Sequence, residues 1–218
     1  LFPSFFGSIW MMLIIGGAGY GIFLHFSGVK LLYRVISWVF FMVLIVVWTQ
    51  INYLTMLKDF KSIVLAFSVA VAAALTLGAV LIWVFRIEAV AAMLSSVTAG
   101  YMIMMLWYFG IIYKSFPEGF GSSVRFLEWF DRIPQLGFAG FFVTAGLFGH
   151  LLIMWWFSSL SVQVEGLFYG APTYDVPAIF AFFSILISTV NFTTSVETRF
   201  YPRYKEYFSL FNDGGSIE

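Results

Sequence analysis

The chain has 218 residues, 61% hydrophobic and only 10% charged, with a mean hydropathy of +0.95 and a formal net charge of zero. Ordinary soluble domains carry roughly 25% charged residues, so a soluble fold is excluded, and the balanced charge leaves no footprint for nucleic acid. Cysteine is absent, which removes disulfides, thiolate nucleophiles and cysteine-based metal sites.

Six long uncharged runs separate the charged residues: Leu1 to Val29, Val35 to Leu57, Ser62 to Phe85, Ala89 to Tyr113, Ile133 to Val164 and Val176 to Val196. A helix rises about 1.5 Å per residue and the hydrocarbon core is about 30 Å thick, so roughly 20 apolar residues suffice to cross it. Each run is long enough. The predicted class is an all-α polytopic membrane bundle with six transmembrane helices. With the N-terminus in the cytoplasm, eight basic residues fall on that side: Lys58, Lys61, Lys114, Arg125, Arg132, Arg199, Arg203 and Lys205. Three, Lys30, Arg34 and Arg86, fall outside, which favours this orientation. A chain that opens on Leu1 without a basic n-region or a small-residue cleavage site reads as a fragment.

In chain order, the first span holds Gly16, Gly17, Gly19 and Gly21. The Gly17 to Gly21 spacing admits either close approach of a neighbouring helix or a local unwinding that lines a cavity. The second span ends in Thr49, Gln50, Asn52 and Thr55, polar groups that either bond a neighbouring helix or line a substrate path. Arg86 and Glu88 mark a short outer turn. The longest charged interval, Lys114 to Arg132, reads as a hinge between two bundles. Its core has candidate caps at Ser122 and Ser123 and an apolar set in Val124, Phe126, Leu127, Phe130 and Ile133. Arg125, Glu128 and Arg132 form a stripe three and four residues apart, and Pro134 ends the element. A short amphipathic helix in the cytoplasmic interface fits. The outer stretch from Ser158 to Asp175 is acidic and turn-rich. After the last span, Phe200, Tyr204 and Phe208 recur every four residues, with Tyr207 and Phe211 beside them, while Arg199, Arg203 and Glu206 share another side. This predicts a second amphipathic helix with an aromatic face, kinked or restarted at Pro202, which lacks a backbone donor.

No Walker loop, HExxH, Asp-x-Asp pair or nucleophile elbow is present. The chain is not expected to be an enzyme, and no cofactor or metal site is expected. His150 is the single ionisable side chain well inside a predicted span. It is either a neutral ring satisfied by a neighbouring helix or a substrate or proton contact. Glu197 and Arg199 lie where the last span leaves the membrane, and either meet an anionic or sugar-bearing substrate or a cytosolic partner, or simply snorkel at the interface.

The stretch Asn191-Phe192-Thr193-Thr194-Ser195-Val196-Glu197-Thr198-Arg199-Phe200-Tyr201, followed by Arg203-Tyr204, Tyr207-Phe208 and Gly214-Gly215-Ser216, resembles the PelG family, membrane proteins of bacterial Pel exopolysaccharide export. Arg125-Phe126-Leu127-Glu128-Trp129-Phe130 with Pro134, and Tyr174-Asp175-Val176-Pro177, resemble further segments of that family. Glu197, Phe200, Tyr201 and Tyr204 are its most specific matches. The resemblance is strong over residues 120–218, and a matter of pattern before that. It implies a flippase-like transporter of the multidrug, oligosaccharidyl-lipid and polysaccharide superfamily, with twelve helices in two lobes, of which these six would be the third to the eighth.

On that template residues 1–113 are four helices of the N-terminal lobe, residues 114–134 the cytoplasmic inter-lobe linker, residues 135–196 two helices opening the C-terminal lobe, and residues 197–218 a cytoplasmic amphipathic segment. One departure is His150-Leu151, where the template places an acidic and then a basic residue inside a span. Histidine titrates near neutral pH in water, so proton linkage stays open. The resemblance implies export of a Pel-like biofilm exopolysaccharide across the bacterial inner membrane, with a cytosolic glycosyltransferase and other membrane subunits as partners. On the export reading His150, an isolated ionisable ring, is a candidate for the substrate path, and Glu197, Arg199, Tyr201, Arg203, Tyr204 and Lys205 for the inner mouth or a docking surface. Export of a lipid-linked oligosaccharide or small molecule, and a non-transporting scaffold for a synthase, are the alternatives.

Overall fold

The computed structural model describes residues 2–57, 60–116 and 122–212. Lys58, in the basic count, and the Gly214-Gly215-Ser216 motif lie outside the described residues. Six helices are long and apolar enough to cross a membrane: α1 (Phe2–Phe26), α2 (Leu31–Met56), α3 (Phe60–Trp83), α4 (Ala89–Ser115), α6 (Pro134–Phe157) and α7 (Pro172–Ser195). Short elements lie between and after them. A 3-10 turn (Arg125–Leu127) leads into α5 (Glu128–Arg132), and β1 (Val162–Glu165) pairs with β2 (Phe168–Gly170). A π-helical turn (Val196–Phe200) leads into α8 (Tyr201–Asn212). The fold is nearly all-α and multi-pass. Pro3, Pro134 and Pro172 each stand in a first helical turn, where the missing amide hydrogen leaves no bond unmade.

Contacts divide the chain into two units, residues 1–145 with 164–168, and residues 146–163 with 169–218. In the first unit α3 packs along α4, α4 along α2 and α2 along α1. Its core is built from Phe5, Val47, Leu54, Ala66, Tyr108 and Ile112. In lipid the apolar surface gains little by leaving its surroundings, so close fit and interhelical hydrogen bonds hold such helices together. Both are present. A Cβ at Gly17 would lie 2.0 Å from the Met42 methyl, and Trp38 Nε1 donates to the Gly17 carbonyl at 2.9 Å. The glycine spacing in α1 therefore serves close packing against α2, with Gly19 turned to open space.

Gln50 Nε2 donates to the Met105 carbonyl of α4 at 3.1 Å, and the Tyr108 hydroxyl to the Ile63 carbonyl of α3 at 3.2 Å. Such a bond in a membrane is worth about 0.6 kcal/mol on average. Of the polar group in α2, Gln50 bonds across helices, whereas Thr55 turns back on its own helix and Thr49 mainly does so. Asn52 and Thr49 line an apolar groove of about 640 Å³ beside Met12 and Trp48.

Two connections of this unit meet α1, one at each end. Ser4 Oγ donates to the Ser122 carbonyl at 3.4 Å, and a Cβ at Gly7 would lie 1.8 Å from the Ser123 carbonyl. At the opposite end Leu167 N donates to the Ser27 carbonyl at 2.9 Å. Alternate connections thus gather at opposite ends of α1, as successive membrane crossings require. The predicted linker helix is reduced to the 3-10 turn and one turn of α5. Ser122 Oγ accepts from Val124 N at 3.4 Å, too early to cap a longer helix, and Arg125 pairs with Glu128 at 3.8 Å on an exposed surface.

Neither α6, which is divided between the two units after Ala145, nor α7 has a buried residue in its spanning window. Their adjoining ends are tied by Asp175. Its Oδ1 accepts from Trp155 Nε1 at 2.9 Å and its Oδ2 from Ala171 N at 2.9 Å. Ser161 Oγ donates to the Trp155 carbonyl beside it.

Candidate functional site

Two clusters in the second unit hold the residues that carry functional expectation. His150 stands on α6 seven residues before its end, about 10 Å by helical rise. The uncharged run continues past Phe157 into β1, so the ring lies nearer the α6–α7 connection than the middle of that run suggests. It is half-buried, stacked on Phe182 (centroids 5.9 Å, 24°) and edge-on to Tyr174 (5.8 Å, 77°), both on α7. Its Nδ1 is shielded and has no hydrogen-bond partner among the described residues. A cavity of about 290 Å³ adjoins the ring, lined also by Pro177, Ala181 and Ile185. Pro177, inside α7, cannot donate to the carbonyl one turn earlier, which leaves that turn loosened beside the cavity. An imidazole between two aromatic walls can exchange hydrogen bonds with a polar ligand that enters.

The second cluster is the π-helical turn and α8. At Pro202, where the sequence admits a kink or a restart, the helix runs on from Pro172 to Asn212 and carries a widened turn. Tyr201 N bonds the Val196 carbonyl five residues back. The physical cause is Pro202. In a regular helix its ring would collide with the Thr198 carbonyl and its nitrogen could not donate, and a π turn moves that carbonyl aside. Thr198, Arg199, Pro202 and Arg203 line an open, half-polar groove of about 600 Å³. On another side Phe200, Tyr204 and Phe208 form a ladder, with centroids 5.8 Å apart at the first step and 4.5 Å at the second. Tyr201, Arg203 and Lys205 are exposed. Glu197 contributes backbone to the π turn, and its side chain lies outside the described residues.

The structure thus brings Arg199 and Arg203 to one groove and Tyr204 into the aromatic ladder, and sets His150 in a separate cavity. Residues missed from the sequence are Tyr174 and Phe182, the walls around His150, and Asp175 and Trp155, which tie α6 to α7. The coincidence of Pro177 with Tyr174-Asp175 at a helix start was the available signal. No group of three or more metal-ligating side chains occurs among the described residues.

Six helices long and apolar enough to cross a membrane define a multi-pass membrane protein. The chain matches over residues 1–218 the family model PelG, described as "Putative exopolysaccharide Exporter (EPS-E)". It belongs to that family, and the match takes in the first four spans as well as the region of sequence resemblance. No curated protein and no solved structure matches it.

Proposed function

We propose that this chain is the membrane subunit that moves a nascent Pel-like exopolysaccharide across the bacterial cytoplasmic membrane, fed by a cytosolic glycosyltransferase. The observation that carries this reading is the exporter family match across all six membrane spans. In this reading the chain belongs to a two-lobe flippase-like fold, with residues 114–134 as the linker between lobes. The polymer passes a path on which His150, between Tyr174 and Phe182, offers a hydrogen bond and aromatic faces suited to sugar rings. Glu197, Arg199, Tyr201, Arg203, Tyr204 and Lys205 form the inner mouth or the surface that receives the synthase. Two guanidiniums beside a stacked aromatic ladder suit both roles, since arginine binds planar anionic groups and aromatic rings cover apolar sugar faces.

The test is made in cells carrying the intact protein at matched membrane levels. His150→Leu and Glu197→Ala are compared with wild type for secreted polymer, polymer retained inside and recruitment of the synthase. Reduced secretion with normal recruitment supports the transport reading. Secretion that falls only when recruitment is lost favours a scaffold, and secretion unchanged in both variants removes these residues from the path. Secretion by His150→Ala that tracks wild type across pH 5 to 8 removes proton linkage through this ring.

A further inference from the structure

The β1–β2 hairpin interrupts the longest connection between membrane spans that is described throughout, and its tip packs with the first unit. Three consecutive residues make that contact. Gly166 presses on Ser27, where a Cβ would fall 1.7 Å from the Ser27 carbonyl oxygen. Leu167 N donates to that same oxygen at 2.9 Å, and the Phe168 ring meets Phe23 edge-on at 5.5 Å. Both backbones in the contact turn through left-handed glycines, Gly28 at φ 75° and Gly166 at φ 57°. A side chain at Gly166 would hold the strands apart, so the approach is built into the sequence.

The same contact is made to open. The turn beneath it is braced without the hairpin, because buried Ser27 donates through Oγ to the Leu24 carbonyl at 2.8 Å and accepts from Val29 N at 3.4 Å. The Leu167–Ser27 bond and the Phe168–Phe23 ring edge are slight ties for a closure. A short two-stranded hairpin is itself marginal in water.

We propose that residues 165–168 form a strap that closes over the α1–α2 turn and must lift for each passage of substrate. This rests on the exporter reading above, and it adds a moving part on the side that the basic-residue count assigns to the outside. These 218 residues contain no cysteine, so within them the introduced pair supplies the only thiols.

The intact protein carrying Ser27→Cys with Leu167→Cys, and separately Phe23→Cys with Phe168→Cys, is treated in cells with a short bis-methanethiosulfonate. The expected result is a cross-link in each pair, loss of secretion to the level of a deletion strain while linked, and recovery after dithiothreitol. Adding Gly166→Ala should suppress cross-linking by pushing the strap off its seat. A complete cross-link with secretion unchanged overturns the proposal, as does the absence of a cross-link in both pairs. A deletion strain that secretes like wild type overturns the exporter reading itself, a result visible without any cross-linker.

Discussion

Gly100 and Gly19 are both glycines within apolar helices, and their surroundings differ. A Cβ at Gly100 would lie 2.8 Å from the Ala70 carbonyl and 2.9 Å from the Ala74 Cβ, whereas nothing stands within 4 Å of one at Gly19. Backbone cannot swing aside as a methionine end can. Gly100→Ala is therefore expected to force α3 and α4 apart and cost about 1–3 kcal/mol, as overpacking does. Gly19→Ala should be neutral or stabilise by up to about 1 kcal/mol through helix propensity. Thermal unfolding of the purified protein in detergent checks both, and equal midpoints for the two variants would refute the assigned packing.

The small-residue spacing in α1 and the polar end of α2 were legible because lipid penalises polar groups and wide side chains at a helix seam. Gly100 was not, since its partners, Ala70 and Ala74, lie on another helix and no local pattern marks them. His150 was legible as an isolated ring in an apolar run. Its walls Tyr174 and Phe182 were not, because aromatic residues are common throughout this chain and sequence distance hides which of them meet.

At the scale of elements, the α7–α8 junction shows how one proline sets the phase of everything after it. A π turn accommodates one residue more than the α-helical path. With Pro202→Ala the reason for widening goes, and relaxation to regular helix should rotate α8 by about 100° relative to α7, one residue's turn. The pattern of immobilisation of single spin labels at Arg203, Tyr204 and Lys205 in the purified protein should then shift along the helix by one residue. An unchanged pattern would show that something other than Pro202 holds the turn open.

The aromatic ladder itself was visible from its four-residue recurrence. The uninterrupted helix was not, since a proline usually argues for a kink or a stop and the π alternative leaves no compositional trace. The short helix expected between Ser122 and Ile133 is confined to the 3-10 turn and α5. Ser122 closes a tight local turn with Val124, and Pro134 starts the next helix, leaving room for only one helical turn between.

For the whole molecule, the gathering of connections at opposite ends of α1 gives a sidedness that can be tested without knowing the substrate. Single cysteines at Lys61, Ser122 and Ser209 should react with an impermeant maleimide only after the membrane is opened. One at Gln163 should react in intact cells. The reverse pattern would invert the orientation drawn from basic residues, and reactivity of all four in intact cells would break the six-span topology. The class of the protein was legible from composition because charge is so costly in hydrocarbon that six apolar runs leave few other solutions. How the helices pair within the first unit depended on particular side chains meeting across it, which run lengths do not encode.

The bond between Leu167 and Ser27 also sets a clock on biogenesis. About 140 residues of chain separate its two ends, and ribosomes add roughly 5–20 residues per second. The α1–α2 turn therefore waits roughly seven to thirty seconds after its own synthesis before the hairpin exists. Throughout that interval the Ser27 carbonyl has only water or the insertion machinery to bond. A nascent chain stalled before the hairpin emerges should leave this turn open to proteases that the finished protein resists.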